Sequence, residues 1–184
     1  DHLDSNQKLI EEFCGPGQTF RPKSRSGKNW SQTAFSVATR NVTGIKSPTM
    51  VAVGKGGKIL SRDCDLIIAD DIEDFGSTAQ PSGRAATKRW WTTTLSSRVE
   101  AHTAVVVIGS RQHSDDLYNS LLDNNAWNNI VEQAHSDDCE IPEQDFDEHI
   151  DCMLWKGKRD YKWLNTQKEA SATTGGVHVF EMVY

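Results

Sequence analysis

The sequence predicts an α/β fold built around a parallel sheet, and three observations support this prediction. Two apolar segments of strand length lie at residues 65–69 and 103–109. Residues 82–100 lie between them and carry large apolar side chains four positions apart, as one face of a helix would. A helix that joins two strands in this way is typical of parallel strands. Wholly apolar strands are typical of a sheet that helices cover on both faces.

Shorter elements are predicted before this unit. Residues 1–13 have the apolar spacing of a helix, and Gly15-Pro16-Gly17 is expected to end it. Residues 33–40 and 49–53 have the composition of short strands. Residues 21–30 are interpreted as a polar loop.

The elements that follow complete a β-α-β-α-β order. Residues 115–122 are predicted to form a second helix, with Ser114 as its N-cap. Residues 129–134 are predicted to form a third strand. Asp160 is expected to cap a last helix over residues 161–170.

Length and charge exclude some classes of protein. The chain has 184 residues, which suits one domain, and its net charge of −6 argues against a surface that binds nucleic acid throughout. The longest apolar run, residues 104–108, is too short to span a membrane. Arg21, Lys23, Arg25 and Lys28 form the one basic cluster considered for DNA contacts, and a solvated loop is the alternative interpretation.

The cysteines give a negative prediction. Cys14, Cys64, Cys139 and Cys152 show no CxxC spacing. The pattern therefore gives a zinc site no support. Scattered thiols of this kind indicate a reducing compartment.

Two carboxylates, Asp70 and Asp71, directly follow the first apolar strand. In parallel sheets, ligands collect at the carboxyl ends of the strands. Asp70 is expected to hold Mg²⁺ through water, because this ion prefers oxygen ligands and keeps several waters. Asp71 is expected to orient a water for attack on a phosphate. Glu73 and Asp74 add negative charge, and a strand end followed by a capping turn is the alternative interpretation.

The second apolar strand is followed by Ser110 and Arg111. If the two strands are neighbours, the Ser110 hydroxyl lies near the aspartates and is placed to sense a terminal phosphate. Arg111 is placed to stabilise phosphate charge. The alternative is an ordinary turn, and His113 is interpreted as a turn residue rather than a catalytic base.

Residues 37–122 resemble the large subunit of phage terminases, the motor that packages phage DNA. The resemblance rests on Ser47-Pro48-Thr49, on the glycines after Val53, on Arg62 ahead of residues 65–74, and on residues 109–117. Leu154-Trp155 and residues 180–184 resemble, more loosely, the linker between motor and nuclease in that family.

The resemblance implies a RecA-like P-loop NTPase of the additional-strand type, here partial, that uses ATP and Mg²⁺ to move double-stranded DNA into a procapsid. It assigns Asp70 and Asp71 to the Walker B pair, Ser110 to the coupling motif with Arg111 beside it, and Arg62 to an arginine-finger position. Implied partners are the portal protein, the small terminase subunit and further copies in a ring. The implied location is the host cytoplasm, docked on the procapsid, with no membrane.

Two features depart from the family pattern. The second Walker B carboxylate is often Glu, whereas Asp71 is one methylene shorter. No GxxxxGK[ST] phosphate loop is present. The chain is therefore expected to be a fragment that is inactive alone. Residues 1–135 would be the later part of the motor domain, and residues 136–184 an acidic loop and linker helix leading toward a nuclease domain.

Two alternatives stay open. One is a metal-dependent α/β phosphoesterase, which would need a second carboxylate cluster beside Asp70 and Asp71, with Asp115 and Asp116 as its candidates. The other is a non-catalytic prophage remnant that has lost its phosphate loop.

Overall fold

The computed structural model describes residues 2–23, 30–40, 47–57, 59, 64–173, 176, 180–181 and 184. The chain forms two compact units, one of Asp1–Ile67 with Thr93–Ala104 and one of Ile68–Thr92 with Val105–Tyr184. The division expected at residue 135 falls inside the second unit and stays a prediction.

Two helices open the first unit where the sequence predicts one. They are α1, His2–Ser5, and α2, Gln7–Cys14. Asn6 separates them, because its side chain accepts a 3.2 Å hydrogen bond from the Leu9 amide and so caps α2. Gly15 follows α2 with φ of 81°, a conformation that favours glycine, so the predicted stop is confirmed.

The two short strands of the first unit are confirmed in reduced form. They are β1, Ala34–Phe35, and β2, Met50–Val51. They pair antiparallel, with Ala34 opposite Val51 and Phe35 opposite Met50. The predicted ranges were several residues too long.

The two apolar segments form β3, Leu66–Asp70, and β4, Ala104–Ile108. The Ala104 amide donates to the Asp65 carbonyl at 2.9 Å, where both strands begin. The Asp71 amide donates to the Ile108 carbonyl at 3.0 Å, where both strands end. The strands are therefore parallel neighbours, as the sequence predicts.

The prediction that helices cover both faces of this sheet is wrong for the described part of the chain. Leu66, Ile68, Val106 and Ile108 are 52, 56, 43 and 53 % exposed, and they alternate with less exposed residues along each strand. Since side chains alternate between the two faces of a strand, one apolar face lies open. A continuous apolar run does not reveal which of its faces a helix covers.

The predicted crossover helix is confirmed in its first half. Helix α3, Phe75–Ala79, precedes α4, Pro81–Trp90, and Pro81 begins α4 at a position that tolerates its missing amide hydrogen. A π-helical turn over Trp91–Leu95 and a 3₁₀ turn over Ser96–Arg98 complete the segment. The change of hydrogen bonding after Trp90 has no signature in the apolar spacing.

The last part of the chain is mostly irregular. Helix α5 is Leu117–Leu122, a 3₁₀ helix covers Glu148–Cys152, and α6 is Tyr161–Thr173. Asp160 caps α6 by accepting from the Trp163 amide at 2.7 Å, as predicted. Residues 129–134 are not a strand, and Ile130 is 88 % exposed.

A small core stabilises this region of the second unit. Met153, Leu164 and Phe180 are buried together. Residues packed against them are Ala134, Tyr161, Trp163 and Tyr184. Among the residues that the structure describes, no helix is long and apolar enough to cross a membrane.

Candidate functional site

Four of the predicted site residues lie at the carboxyl end of the β3–β4 pair. The hydrogen bond from Asp71 to Ile108 places the residues that follow the two strands at one edge of the sheet. Asp70 and Asp71 leave β3 there, and Ser110 and Arg111 leave β4. The side chains of all four residues are exposed.

Asp71 has φ of 44°, the one positive value in a described residue other than glycine. Asp enters this left-handed region more easily than most residues because its short polar side chain bonds locally. The bend ends β3 after Asp70. Strained backbone of this kind is concentrated at functional sites, where the surrounding structure holds it.

Glu73, expected to add charge to an exposed turn, is instead buried and only 4 % exposed. Its carboxylate accepts a 2.6 Å hydrogen bond from the Leu117 amide, at the start of α5. Asp74 caps α3, accepting from the Ser77 amide at 2.6 Å. The carboxylates of both acids therefore accept backbone amides at the starts of helices. Of the four acids, only Asp70 and Asp71 remain as candidates for a cation site.

Tyr118 fills the space behind the two strand ends. Its hydroxyl accepts a long, 3.4 Å hydrogen bond from the Glu73 amide. A Cβ added at Gly109 would overlap that hydroxyl, so any other residue where β4 ends would force the Tyr118 side chain to shift. Burial raises the pKa of the Tyr118 phenol, which keeps it protonated.

Asp116, rather than the predicted Ser114, caps α5 and organises the loop before it. Its side chain is fully buried. One oxygen accepts from the Asn119 amide at 2.7 Å, and the other from the amides of Gln112 at 2.8 Å and His113 at 3.1 Å. The carboxylate thus fixes the loop that carries Ser110 and Arg111.

Asp115 ties the same loop to α4. Its carboxylate contacts Lys88 Nζ at 2.7 Å and Arg84 Nε at 3.2 Å. The hydrogen bonds from Lys88 and then Arg84 lower the pKa of Asp115. His113 accepts the Asp115 amide on Nδ1 at 2.9 Å, which matches its interpretation as a turn residue. With Asp115 paired to cations and Asp116 to amides, neither supplies the second metal cluster that a phosphoesterase needs.

Some predicted residues are not placed. Arg62, Arg25 and Lys28 lie outside the described residues. Arg21 and Lys23 are exposed, and the Arg21 guanidinium lies 5.9 Å from the centre of the Trp30 ring. The basic cluster is therefore described only at its first two members.

A second group of side chains was missed by the sequence analysis. His135, Cys139, His149 and Cys152 place one nitrogen or sulfur atom each within 4.8 Å of one another. Cys139 and Cys152 are joined as a disulfide, with 5.8 Å between their Cα atoms. Cys14 and Cys64 are not disulfide-bonded. The interpretation of the cysteines as scattered thiols is therefore wrong for Cys139 and Cys152.

The group does not show in CxxC spacing, which is why the sequence prediction missed it. Its members follow a mixed pattern, H-x₃-C at residues 135–139 and H-x₂-C at residues 149–152. Each half brings one imidazole and one cysteine sulfur together by a short turn. Pairing each histidine with the next cysteine is the signal that finds it.

No protein-family model matches this chain, and no curated protein matches it. Its function is therefore inferred from the geometry of the strand-end residues and from the motifs in residues 37–122.

Proposed function

We propose that the chain is part of the ATP-hydrolysing motor of a terminase-type large subunit, which moves double-stranded DNA into a procapsid. One observation supports the proposal most. The hydrogen bond between Asp71 and Ile108 aligns the ends of two parallel strands. It brings an adjacent pair of carboxylates to the edge of the sheet where the serine and arginine of the second motif also emerge.

Asp70 fits the magnesium role in its chemistry. It offers carboxylate oxygens, the ligands that Mg²⁺ prefers, and it is exposed, as a residue that binds through water must be. Mg²⁺ bound there would neutralise charge on the phosphates of ATP. Three further roles belong to side chains of this chain.

Asp71 orients the attacking water and accepts its proton in this proposal. The left-handed bend turns the backbone at Asp71 out of the strand, and its exposed carboxylate is open to water. Ser110 donates a hydrogen bond to a phosphate oxygen, and Arg111 adds positive charge at the same edge. Asp116 positions both residues by fixing the loop between β4 and α5.

The proposed motor also needs a phosphate cradle, an arginine finger, partner proteins and DNA contacts. The sequence has no GxxxxGK[ST] segment, so the phosphate cradle comes from another part of the protein. Arg62 is proposed as the arginine finger. The portal protein, the small terminase subunit and further copies in a ring are the proposed partners, in the host cytoplasm at the procapsid. Arg21 and Lys23 are the candidates for contacts with DNA phosphates.

The DNA upstream of the Asp1 codon tests the proposal. We expect an open frame there that encodes a strand followed by GxxxxGK[ST]. A stop codon or an unrelated gene directly upstream would contradict it, because these 184 residues contain no phosphate loop. A non-catalytic prophage remnant would then be the better interpretation.

A further inference from the structure

We propose that His135, Cys139, His149 and Cys152 form a structural zinc site. Two nitrogens and two sulfurs are a set that tetrahedral Zn²⁺ binds, with Zn–N of about 2.0–2.1 Å and Zn–S of about 2.3 Å. Such bond lengths place neighbouring ligand atoms about 3.3–3.8 Å apart. The four atoms here already lie within 4.8 Å of one another.

The orientation of the His149 ring suits a metal ligand. Its Nε2 lies 3.1 Å from the Pro142 carbonyl oxygen, which only accepts hydrogen bonds, so Nε2 carries the proton. The other ring nitrogen, Nδ1, then faces the rest of the group. It lies within hydrogen-bond distance of His135 Nε2, at 2.9 Å, and of Cys139 Sγ, at 3.5 Å. In zinc sites, the ring nitrogen that does not bind the metal commonly donates to a backbone carbonyl, as His149 Nε2 does to Pro142, and this bond orients the ring.

Local backbone structure brings the two halves of the site together. Residues 134–136 run beside residues 152–154, with the Ser136 amide donating to the Cys152 carbonyl at 2.9 Å. A turn in which the Cys139 amide donates to the Ser136 carbonyl at 3.3 Å returns Cys139 toward the group. The 3₁₀ helix Glu148–Cys152 has three residues per turn, so His149 and Cys152 share a face.

One of the four residues is shielded from water, and the other three are half-buried. His149 is 1 % exposed, and its ring stacks on Tyr161 with 3.7 Å between ring centres. Tyr161 also contacts His135, at 4.7 Å between ring centres.

The ion would be structural rather than catalytic. Four protein ligands leave no open position for water or substrate. Residues 123–147 contain no helix or strand, a length that seldom holds one conformation without support. The ion would fix this segment against the start of α6, where Tyr161 lies.

Zinc binding requires the reduced cysteines. A thiol or phosphine reductant supplies two electrons, and with two protons the disulfide becomes two thiols. Each thiol releases its proton to solvent when its sulfur coordinates Zn²⁺. The oxidised and zinc-bound forms therefore exclude one another.

Metal content and thiol count test the proposal on the same sample. The chain is expressed in a reducing cytosol with zinc in the medium and purified under nitrogen without reductant. We expect one zinc per chain by mass spectrometry of the metal, and all four thiols after denaturation with a chelator. Zinc far below one per chain, together with only two thiols, would show a disulfide and overturn the proposal.

Ligand variants locate the ion. Cys139→Ser and His149→Asn should lose most of the zinc, whereas Cys14→Ser, which alters a cysteine outside the group, should retain it. Zinc retained in both ligand variants would overturn the assignment. If those variants fail to fold, Co²⁺ added to the reduced wild-type chain decides. We expect a tetrahedral visible spectrum with a thiolate charge-transfer band, and an octahedral spectrum without that band would contradict the site.

Discussion

The backbone amide of Asp71 donates a 3.0 Å hydrogen bond to the carbonyl oxygen of Ile108. This bond extends the β3–β4 ladder by one residue and falls where the Asp71 backbone enters the left-handed region. It joins a pair of carboxylates to the loop that begins with Ser110. Both side-chain sets lie at the carboxyl edge of a parallel sheet, where such folds bind ligands.

Replacing Asp116 should loosen the loop after β4. Asp116→Ala leaves the amides of Gln112, His113 and Asn119 without their acceptor, and we expect a loss of about 2–4 kcal/mol in unfolding free energy. Asp116→Asn should cost less, because one oxygen can still accept. Urea denaturation measures both, with Asp123→Ala, an exposed acid just after α5, as control. Equal stability of Asp116→Ala and the control would contradict this role.

The sequence predicted the elements whose pattern is local. The apolar segments of β3 and β4, their parallel pairing, and the cap that Asp160 gives α6 all follow from periodicity and short-range chemistry. The prediction of a third strand at residues 129–134 was wrong because a strand depends on a partner strand, and the sequence of one segment does not show whether a partner is present. The prediction that helices cover both faces of the β3–β4 sheet was wrong for the same reason, since the strand sequences do not show what packs on each face.

The residues of the candidate sites also differ in whether the local sequence could predict them. Asp70 and Asp71 were predictable because they directly follow a strand. The burial of Glu73 was not, since it depends on the Leu117 amide 44 positions later. The His and Cys group also needed the fold, because two segments separated along the chain must meet to form it.

Gly109→Ala should destabilise the second unit. The added Cβ would overlap the Tyr118 ring and hydroxyl, and overpacking of this kind costs about 1–3 kcal/mol. Gly157→Ala is the matched control, because a Cβ added at Gly157 would meet no atom within 4 Å. Thermal unfolding should separate the two variants. A Gly109→Ala protein that melts with the control would show that Tyr118 moves aside without cost.

The contribution of Asp115 should depend on pH. Its pKa is lowered by the hydrogen bonds from Lys88 and Arg84, so the charged form is favoured in the folded chain. The resulting stability is present above the usual carboxyl pKa of about 3.9 and is lost as pH falls through the lower folded-state pKa. Asp115→Asn should therefore be less stable than wild type at neutral pH, with the gap closing in acid.

Denaturant titrations of both proteins across the acid range measure this gap. The effect should be small, because the Asp115 carboxylate is exposed to solvent. It should also shrink at high salt. A gap that is constant from neutral pH to strong acid would contradict the ion-pair explanation.

ATP hydrolysis by the longest reading frame that contains this chain tests the proposed function most directly. Asp71→Asn removes the group proposed to activate water, and Asp65→Asn alters an exposed acid next to the other end of β3 as the matched control. Nucleotide binding and DNA-stimulated turnover are measured for both variants and wild type. We predict that Asp71→Asn still binds nucleotide and loses about 10²- to 10⁴-fold in turnover, while Asp65→Asn behaves as wild type. Turnover of Asp71→Asn close to wild type, or an equal loss in Asp65→Asn, would contradict the assignment of the strand-end site.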